Sequence, residues 1–170
     1  ELSRIVHFYK YNLVQDLHIP LGRIMTKAFL DSDLPLPDLI IPVPLHPRRL
    51  RWRGFNQSEL LANYISENLT PGLEIPVLNN VLLRKKNTTP QMKVLKYSER
   101  KENIRDAFGI NARKADAQIN ILKNKTILLI DDIATTGATL NECARVLKTA
   151  GAKKVFGLVL ARQEMKKIIT

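Results

Sequence analysis

Residues 127–139 read ILLIDDIATTGAT, four aliphatic residues running into Asp131 and Asp132 and then into a turn of threonine, glycine and alanine. Adjacent carboxylates repel each other, so at the end of a hydrophobic run they need a cation, a set of hydroxyls or open water. The turn delivers the chain into an amphipathic stretch, 139–150, with Leu140, Cys143, Ala144 and Leu147 on one side. The first NH groups of a helix have no intrahelical partner and make a ready cradle for phosphate. Gly137 lets a ligand approach the backbone with no Cβ in the way, and the hydroxyls of Thr135, Thr136 and Thr139 add short-range donors. A ligand with hydroxyls or a metal at one end and a phosphate at the other, such as a ribose 5-phosphate, has that shape.

Two other readings of the acidic pair fail. The second nucleotide motif of P-loop enzymes also ends an aliphatic run in Asp-Asp, but it requires G-x-x-x-x-G-K-[ST], and the seven glycines here offer no such pair. A response-regulator receiver places an acidic pair after its first strand, yet only 39 residues follow Asp131, too few for the rest of such a domain. The bland alternative is a solvated acidic pair before a capped helix.

The elements that must hold these residues can be read from the hydrophobic pattern. Continuous branched runs predict buried strands at 39–43, 126–130 and 155–160, with a further strand at 77–83. Helices are expected over residues 1–30 in two pieces. The first has Ile5, Phe8 and Tyr9 on one face, and the second opens near Pro20 with Leu21, Ile24, Met25 and Ala28 facing inward. Another helix is expected over 58–69 through Leu60, Leu61, Tyr64, Ile65 and Leu69. Thr139 with Glu142 has the pattern of a capping box, and Gly151 marks the stop of the last helix. Strand, helix and strand between 126 and 160 make a right-handed parallel unit, so the expected class is α/β, an open and mostly parallel sheet with helices on both faces.

The 170 residues, 45% of them apolar, suit a single domain with its own core. The longest apolar runs are too short for a membrane span, and the lone Cys143 excludes an internal disulfide and any multi-cysteine zinc site, which fits a reducing, cytoplasmic setting. The chain opens on Glu1 rather than Met, in keeping with a segment cut away upstream. With 27 Lys and Arg against 16 Asp and Glu, the formal charge of +11 calls for an anionic partner. That charge is concentrated in RRLRWR at 48–53, with four arginines, and in 84–105, with eight basic residues against two acidic ones. The second stretch is polar and weakly periodic, so it is expected to be a mobile loop with a helical turn near 98–104. His7 and His18 read as ordinary helix residues, Cys143 lies on the inward face of its helix, and Trp52 is expected to pack against an arginine or a neighbouring helix.

ILLIDDIATTGAT closely resembles the thirteen-residue phosphoribosyl pyrophosphate motif of type I phosphoribosyltransferases. IPVPLHPRRLRWRGFNQSELLA at 41–62, TPQ at 89–91, ERKENIRDAF at 99–108 and AR at 161–162 narrow the resemblance to the ComF group, the competence-protein branch of that family. The resemblance spans about residue 5 to residue 162.

The resemblance implies roles residue by residue. Asp131 and Asp132 would be the catalytic acids, meeting the ribose 2- and 3-hydroxyls and contacting magnesium, directly or through water. Ala134, Thr135, Thr136, Gly137, Ala138 and Thr139 would hold the 5-phosphate, while His46, Arg48, Arg49, Arg51, Arg53 and Gly54 would hold pyrophosphate. Arg84, Lys85, Lys86, Gln91, Arg100 and Arg105 would belong to the flexible loop 84–105 that closes over the reacting centre. Residues 1–37 would form a small hood, 38–162 the core and 163–170 a tail.

The implied chemistry is a magnesium-dependent transfer of a ribosyl group from phosphoribosyl pyrophosphate to an unidentified nitrogen acceptor. A silent sensor of that ligand, or an accessory protein binding single-stranded DNA beside the competence helicase machinery, stands as the alternative. The low aromatic content of 6% favours phosphate-ligand charge over nucleic-acid charge. A homodimer is one oligomeric form left open. Two departures from the group stand out: the chain lacks the four-cysteine zinc module with which many members begin, and Asp106 stands where ERxxNxRxAF commonly has glycine, a change expected to stiffen the end of the loop.

Overall fold

A computed structural model describes residues 15–88, 102–111 and 120–162. After a 3₁₀ turn at Gln15–Leu17 the chain forms helix α1 (His18–Leu30), strand β1 (Leu39–Pro42), helices α2 (Pro47–Arg53) and α3 (Gln57–Asn68), and strands β2 (Leu82–Arg84) and β3 (Phe108–Ile110). Strand β4 (Thr126–Ala134), helix α4 (Ala138–Thr149) and strand β5 (Lys154–Arg162) complete it. The aliphatic runs pair as a parallel sheet in the order β1-β4-β5. Leu39 stands opposite Ile127, and Thr126 opposite Lys154, with the second register running on to Ala134 opposite Arg162. Asp38 ties the entry of β1 to that of β4, its carboxylate accepting from the Thr126 amide at 2.7 Å.

The period of two in β4 divides the apolar residues between two cores. Ile127 and Leu129 join Cys143, Val146 and Leu147 of α4 on one face, while Leu128 and Ile130 join Leu61 and Ile65 of α3 and Met25 and Phe29 of α1 on the other. Helices thus cover both faces, as the α/β reading requires. Helix α1 opens two residues before Pro20, which falls in its first turn. The inward face of α1 is Leu21, Gly22, Met25, Thr26 and Phe29. Ile24 and Ala28, expected inside, are exposed, because Tyr64 of α3 lies so close to Gly22 that the helices meet along the Gly22–Phe29 stripe. Within the 1–37 stretch expected to be a hood, α1 lies in the helical layer against α3 and β5. The face expected from Ile5, Phe8 and Tyr9, and also His7, lie outside the described residues, as do Gln91, Arg100 and 163–170.

Four local expectations change. The strand foreseen at 77–83 is broken: Val77 makes a single parallel bridge to Ile40, a turn follows at Asn79 and Asn80, and only Leu82–Arg84 pair again, antiparallel with β3. Arg84 therefore belongs to a strand and stands opposite Phe108, with its guanidinium 5.3 Å from that ring, rather than in a loop. The strand foreseen at 126–130 runs on through both aspartates to Ala134 because β5 continues to pair with it. The capping box is not formed. Gly137, in the left-handed conformation at φ 75°, is the N-cap of α4, and the Glu142 carboxylate instead accepts from the Asp106 amide at 3.0 Å and from Arg145. Asp106 itself has φ 54°, the conformation that favours glycine, which accounts for glycine being common there in the motif.

Candidate functional site

The site is built at the carboxyl ends of β1 and β4, where an open α/β sheet gathers ligands. A cavity of about 290 Å³ opens there, lined from the end of β1 by Val43, Pro44 and Leu45 and from β4 by Asp131, Asp132, Ile133 and Ala134. Thr135, Gly137, Ala138, Thr139 and Leu140 form its floor at the start of α4, Arg49, Trp52 and Arg53 enter from α2, Asn56, Gln57 and Ser58 from the start of α3, and Arg84 from β2.

The two carboxylates are adjacent in a strand, where successive side chains leave on opposite sides. They also receive different surroundings. Asp132 is buried, 6% exposed, whereas Asp131 is half-buried and its Oδ1 accepts from the Ser58 hydroxyl at 3.2 Å and from the Asp132 amide at 2.9 Å. Ser58 is carried there by Asn56, which caps α3: its Oδ1 accepts from the Ser58 amide at 3.2 Å, and its Nδ2 donates to the Val43 carbonyl at 3.1 Å. That second bond fixes the start of α3 to the end of β1.

The cradle follows at once. Gly137 caps α4 in the left-handed region, and a Cβ there would have only the Asn141 amide near it, at 3.8 Å. Thr136 is absent from the lining; its hydroxyl accepts from the Ala138 amide at 3.3 Å.

The stretch His46–Gly54 is mostly the seven-residue helix α2, because His46 caps it, Pro47 starts it and Gly54, at φ 80°, ends it. The His46 Nδ1 accepts from the Arg48 amide at 3.2 Å. Burial, followed by the guanidiniums of Arg48, Arg84, Arg49 and Arg51, holds the imidazole below its ordinary pKa, as suits an acceptor. The helix sorts its arginines. Arg49 and Arg53, one turn apart, line the cavity, while Arg48 and Arg51 are exposed and outside it, and neither half-buried His46 nor Gly54 lines it. Trp52 is 66% exposed at the rim.

Arg84 faces α2 across the cavity. Burial, and next the charge of Arg49, push its pKa down to about 10, with Asp131 pulling the other way. Its Nη2 donates to the Thr88 hydroxyl at 2.6 Å, and the Arg49 guanidinium donates to the Thr88 carbonyl. Lys85, Lys86 and Arg105 are exposed and do not line the cavity; the Lys86 ammonium donates to the Arg105 carbonyl at 2.9 Å. Cys143 is fully buried, and burial raises its thiol well above the ordinary range, which leaves it no nucleophilic role.

The structure thus brings together the acids, most of the cradle, two of the four arginines and Arg84. Sequence reasoning missed Asn56, Gln57 and Ser58 as wall residues. The signal lay in FNQS, the polar start of a helix shortly after a strand and an arginine cluster.

The donor set fits magnesium. No group of three or more His, Cys, Asp or Glu able to hold a metal occurs among the described residues, so Asp131 and Asp132 are the protein carboxylates at the cavity. Magnesium is commonly held by one or two carboxylates together with water and substrate phosphates rather than by an all-protein cage.

Comparison with known proteins agrees with this geometry. Residues 56–168 match the phosphoribosyl transferase domain family. The chain is 34% identical over 165 residues to Competence protein F of Haemophilus influenzae, covering 95% of this chain and 68% of that protein. It is 30% identical to DNA utilization protein YhgH of Escherichia coli strain K12, covering 95% of this chain and 67% of that one. The chain therefore spans about two thirds of the length of these relatives. In fold it resembles the glutamine phosphoribosylpyrophosphate amidotransferase of B. subtilis, at a TM-score of 0.51 and 18% identity, over 86% of this chain and 26% of that one. Among the described residues no helix is long and apolar enough to cross a membrane. A parallel sheet closing on an acidic pair and a glycine-capped helix, joined to these matches, makes the chain a member of the phosphoribosyltransferase family with the type I fold, in its ComF branch.

Proposed function

We propose that this domain binds phosphoribosyl pyrophosphate with magnesium and transfers its ribosyl 5-phosphate group to a nitrogen acceptor, in a protein that serves the use of DNA taken up by the cell. The observation that carries the reading is that one cavity gathers a carboxylate pair, a glycine-capped helix start and three arginines. These match the three parts of the ligand: diol, 5-phosphate and pyrophosphate.

In this reading the bond from ribose C1 to the pyrophosphate oxygen breaks, that oxygen keeps the electron pair, and the acceptor nitrogen bonds to C1 and loses its proton to solvent. Asp131, oriented by Ser58 and by the Asp132 amide, accepts from ribose hydroxyls. The NH groups at the start of α4 that lack an intrahelical partner hold the 5-phosphate, and Arg49, Arg53 and Arg84 face the charge that grows on the leaving group. When bound, magnesium at Asp131 and Asp132 would neutralise charge on the pyrophosphate.

The test is thermal. Phosphoribosyl pyrophosphate with magnesium raises the melting temperature of the wild-type protein, and Asp131→Ala with Asp132→Ala abolishes the rise; an undiminished rise in the double variant defeats the assignment. Release of pyrophosphate across a panel of nucleobases then separates an enzyme from a sensor.

One observation favours single-stranded DNA as a second ligand. Helix α2 buries none of its residues, points Arg48 and Arg51 to solvent, and carries Trp52 two-thirds exposed beside them. Guanidiniums for phosphates with an aromatic face for a base are the elements of a single-strand platform. Trp52 is the sole tryptophan, so its fluorescence reports directly. An oligothymidylate that stacks on Trp52 quenches it, with an affinity that falls steeply with salt, whereas an abasic strand of equal length leaves it bright. Equal signals from both strands, or no binding at low salt, remove this second ligand.

A further inference from the structure

Two donors in the cavity wall lack acceptors among the described residues. Gln57 is 1% exposed, and its Oε1 accepts from the Arg53 Nη1 at 2.9 Å. Arginine can only donate, so the amide oxygen must face Arg53 and the amide nitrogen must face away. That nitrogen, Nε2, is buried and has no hydrogen-bond partner among the described residues, and the same holds for the Nε of Arg84. Both side chains line the same cavity, Gln57 from the first turn of α3 and Arg84 from β2. Buried polar atoms are nearly always paired, and an orphaned donor is destabilising unless something satisfies it.

The chemistry of the missing partner follows from the donors. One is a cation and the other a neutral amide, and neither can accept. Around them stand Arg49 and Arg53, and the start of α3 adds the positive end of a twelve-residue helix. A group that offers only oxygen acceptors and carries negative charge satisfies all of these, whereas a nucleobase edge would bring donors of its own.

We propose that Gln57 and Arg84 are direct ligands of the pyrophosphate group of the substrate, and that with Arg49 and Arg53 they hold it in place of the outward Arg48 and Arg51. This rests on the phosphoribosyl pyrophosphate reading above. Gln57 serves two purposes: its oxygen orders the Arg53 guanidinium, and its nitrogen donates to the ligand. The neutral amide adds a hydrogen bond without adding charge, so it distinguishes a phosphoryl oxygen at that place from a merely diffuse anion.

Calorimetric titration with two probes, inorganic pyrophosphate and ribose 5-phosphate, in buffer containing magnesium, tests the proposal. Gln57→Glu keeps the acceptor for Arg53 and converts the donor into an acceptor; Gln57→Met removes both without adding charge. Each is expected to weaken pyrophosphate at least about tenfold, while Gln57→Met changes ribose 5-phosphate by less than about twofold. Arg84→Met gives the same selective loss and stands in where a Gln57 variant fails to fold. Arg48→Ala with Arg51→Ala should leave pyrophosphate affinity within about threefold at physiological salt. Unchanged pyrophosphate affinity in the folded Gln57 and Arg84 variants, with ribose 5-phosphate still bound, overturns this proposal and leaves the parent reading standing. A wild-type protein that binds neither probe overturns both.

Discussion

Replacing Arg84 by methionine should make the ligand-free protein more stable and at the same time weaken its hold on pyrophosphate. The guanidinium sits largely buried, and its pKa falls from its ordinary value to about 10, chiefly through burial and next through Arg49. That drop corresponds to about 3 kcal/mol of disfavour for the charged form in the folded state. The group is depressed in the fold, so the penalty is fully in force below pH 10 and lifts only as the pH climbs toward the unfolded value; at pH 7 all of it is felt. Methionine also forfeits the 2.6 Å bond to Thr88 and the guanidinium's contact with Phe108, together about 1–2 kcal/mol, part of which a thioether against the ring restores. The balance is a gain of about 1–2 kcal/mol, or about 2–8 °C in melting temperature for a chain of this size. Differential scanning calorimetry at pH 7 in phosphate-free buffer measures it. Added pyrophosphate with magnesium should then raise the wild-type transition more than that of the variant at the same ligand concentration. A lower melting temperature for the variant without ligand would refute the idea that this cation is held against the grain of the fold.

Two glycines give sharper local tests. Gly22→Ala would set a Cβ 2.4 Å from the Cδ1 of Tyr64, and the overpacking should outweigh the better helix propensity of alanine, lowering stability by about 1 kcal/mol in urea unfolding. Gly137→Ala meets no close neighbour, so its cost is the left-handed backbone, about 1–2 kcal/mol, and its methyl group at the cradle should weaken ribose 5-phosphate more than pyrophosphate in the same titrations.

The framework was legible wherever one kind of force decided the outcome. Continuous branched aliphatics marked β1, β4 and β5, and in β1 and the first half of β4 burial on both faces leaves no room for alternation. The acids, Gly137 and the cradle followed from the incompatibility of charge with a hydrophobic strand end. What escaped depends on contacts between distant parts of the chain. Nothing local distinguishes Arg84 from Lys85 or Lys86, yet the first is drawn under Phe108 by the β2–β3 pairing while the others stay exposed. Gln57 and Ser58 read as an ordinary polar helix start; only the Asn56 bond to Val43 brings them to the cavity. Glu142 matched a capping box but found a stronger partner in Arg145, three residues along its own helix, and a backbone amide at Asp106. The four arginines of α2 looked equivalent in composition, and the turn of a single short helix divided them into two pairs.

The division of the aliphatics of β4 between two cores has a consequence for timing. A central strand, paired on both edges and buried on both faces, belongs to the part of a protein that exchanges its amide hydrogens only through global unfolding. Asp131 and Asp132 directly continue that slowest backbone, still paired to β5, whereas α2, which buries none of its residues, belongs to the part that opens first. The sugar is therefore met by an unyielding wall and the leaving group by a yielding one, so that after bond cleavage the pyrophosphate has an exit that does not require the sugar's end of the site to move.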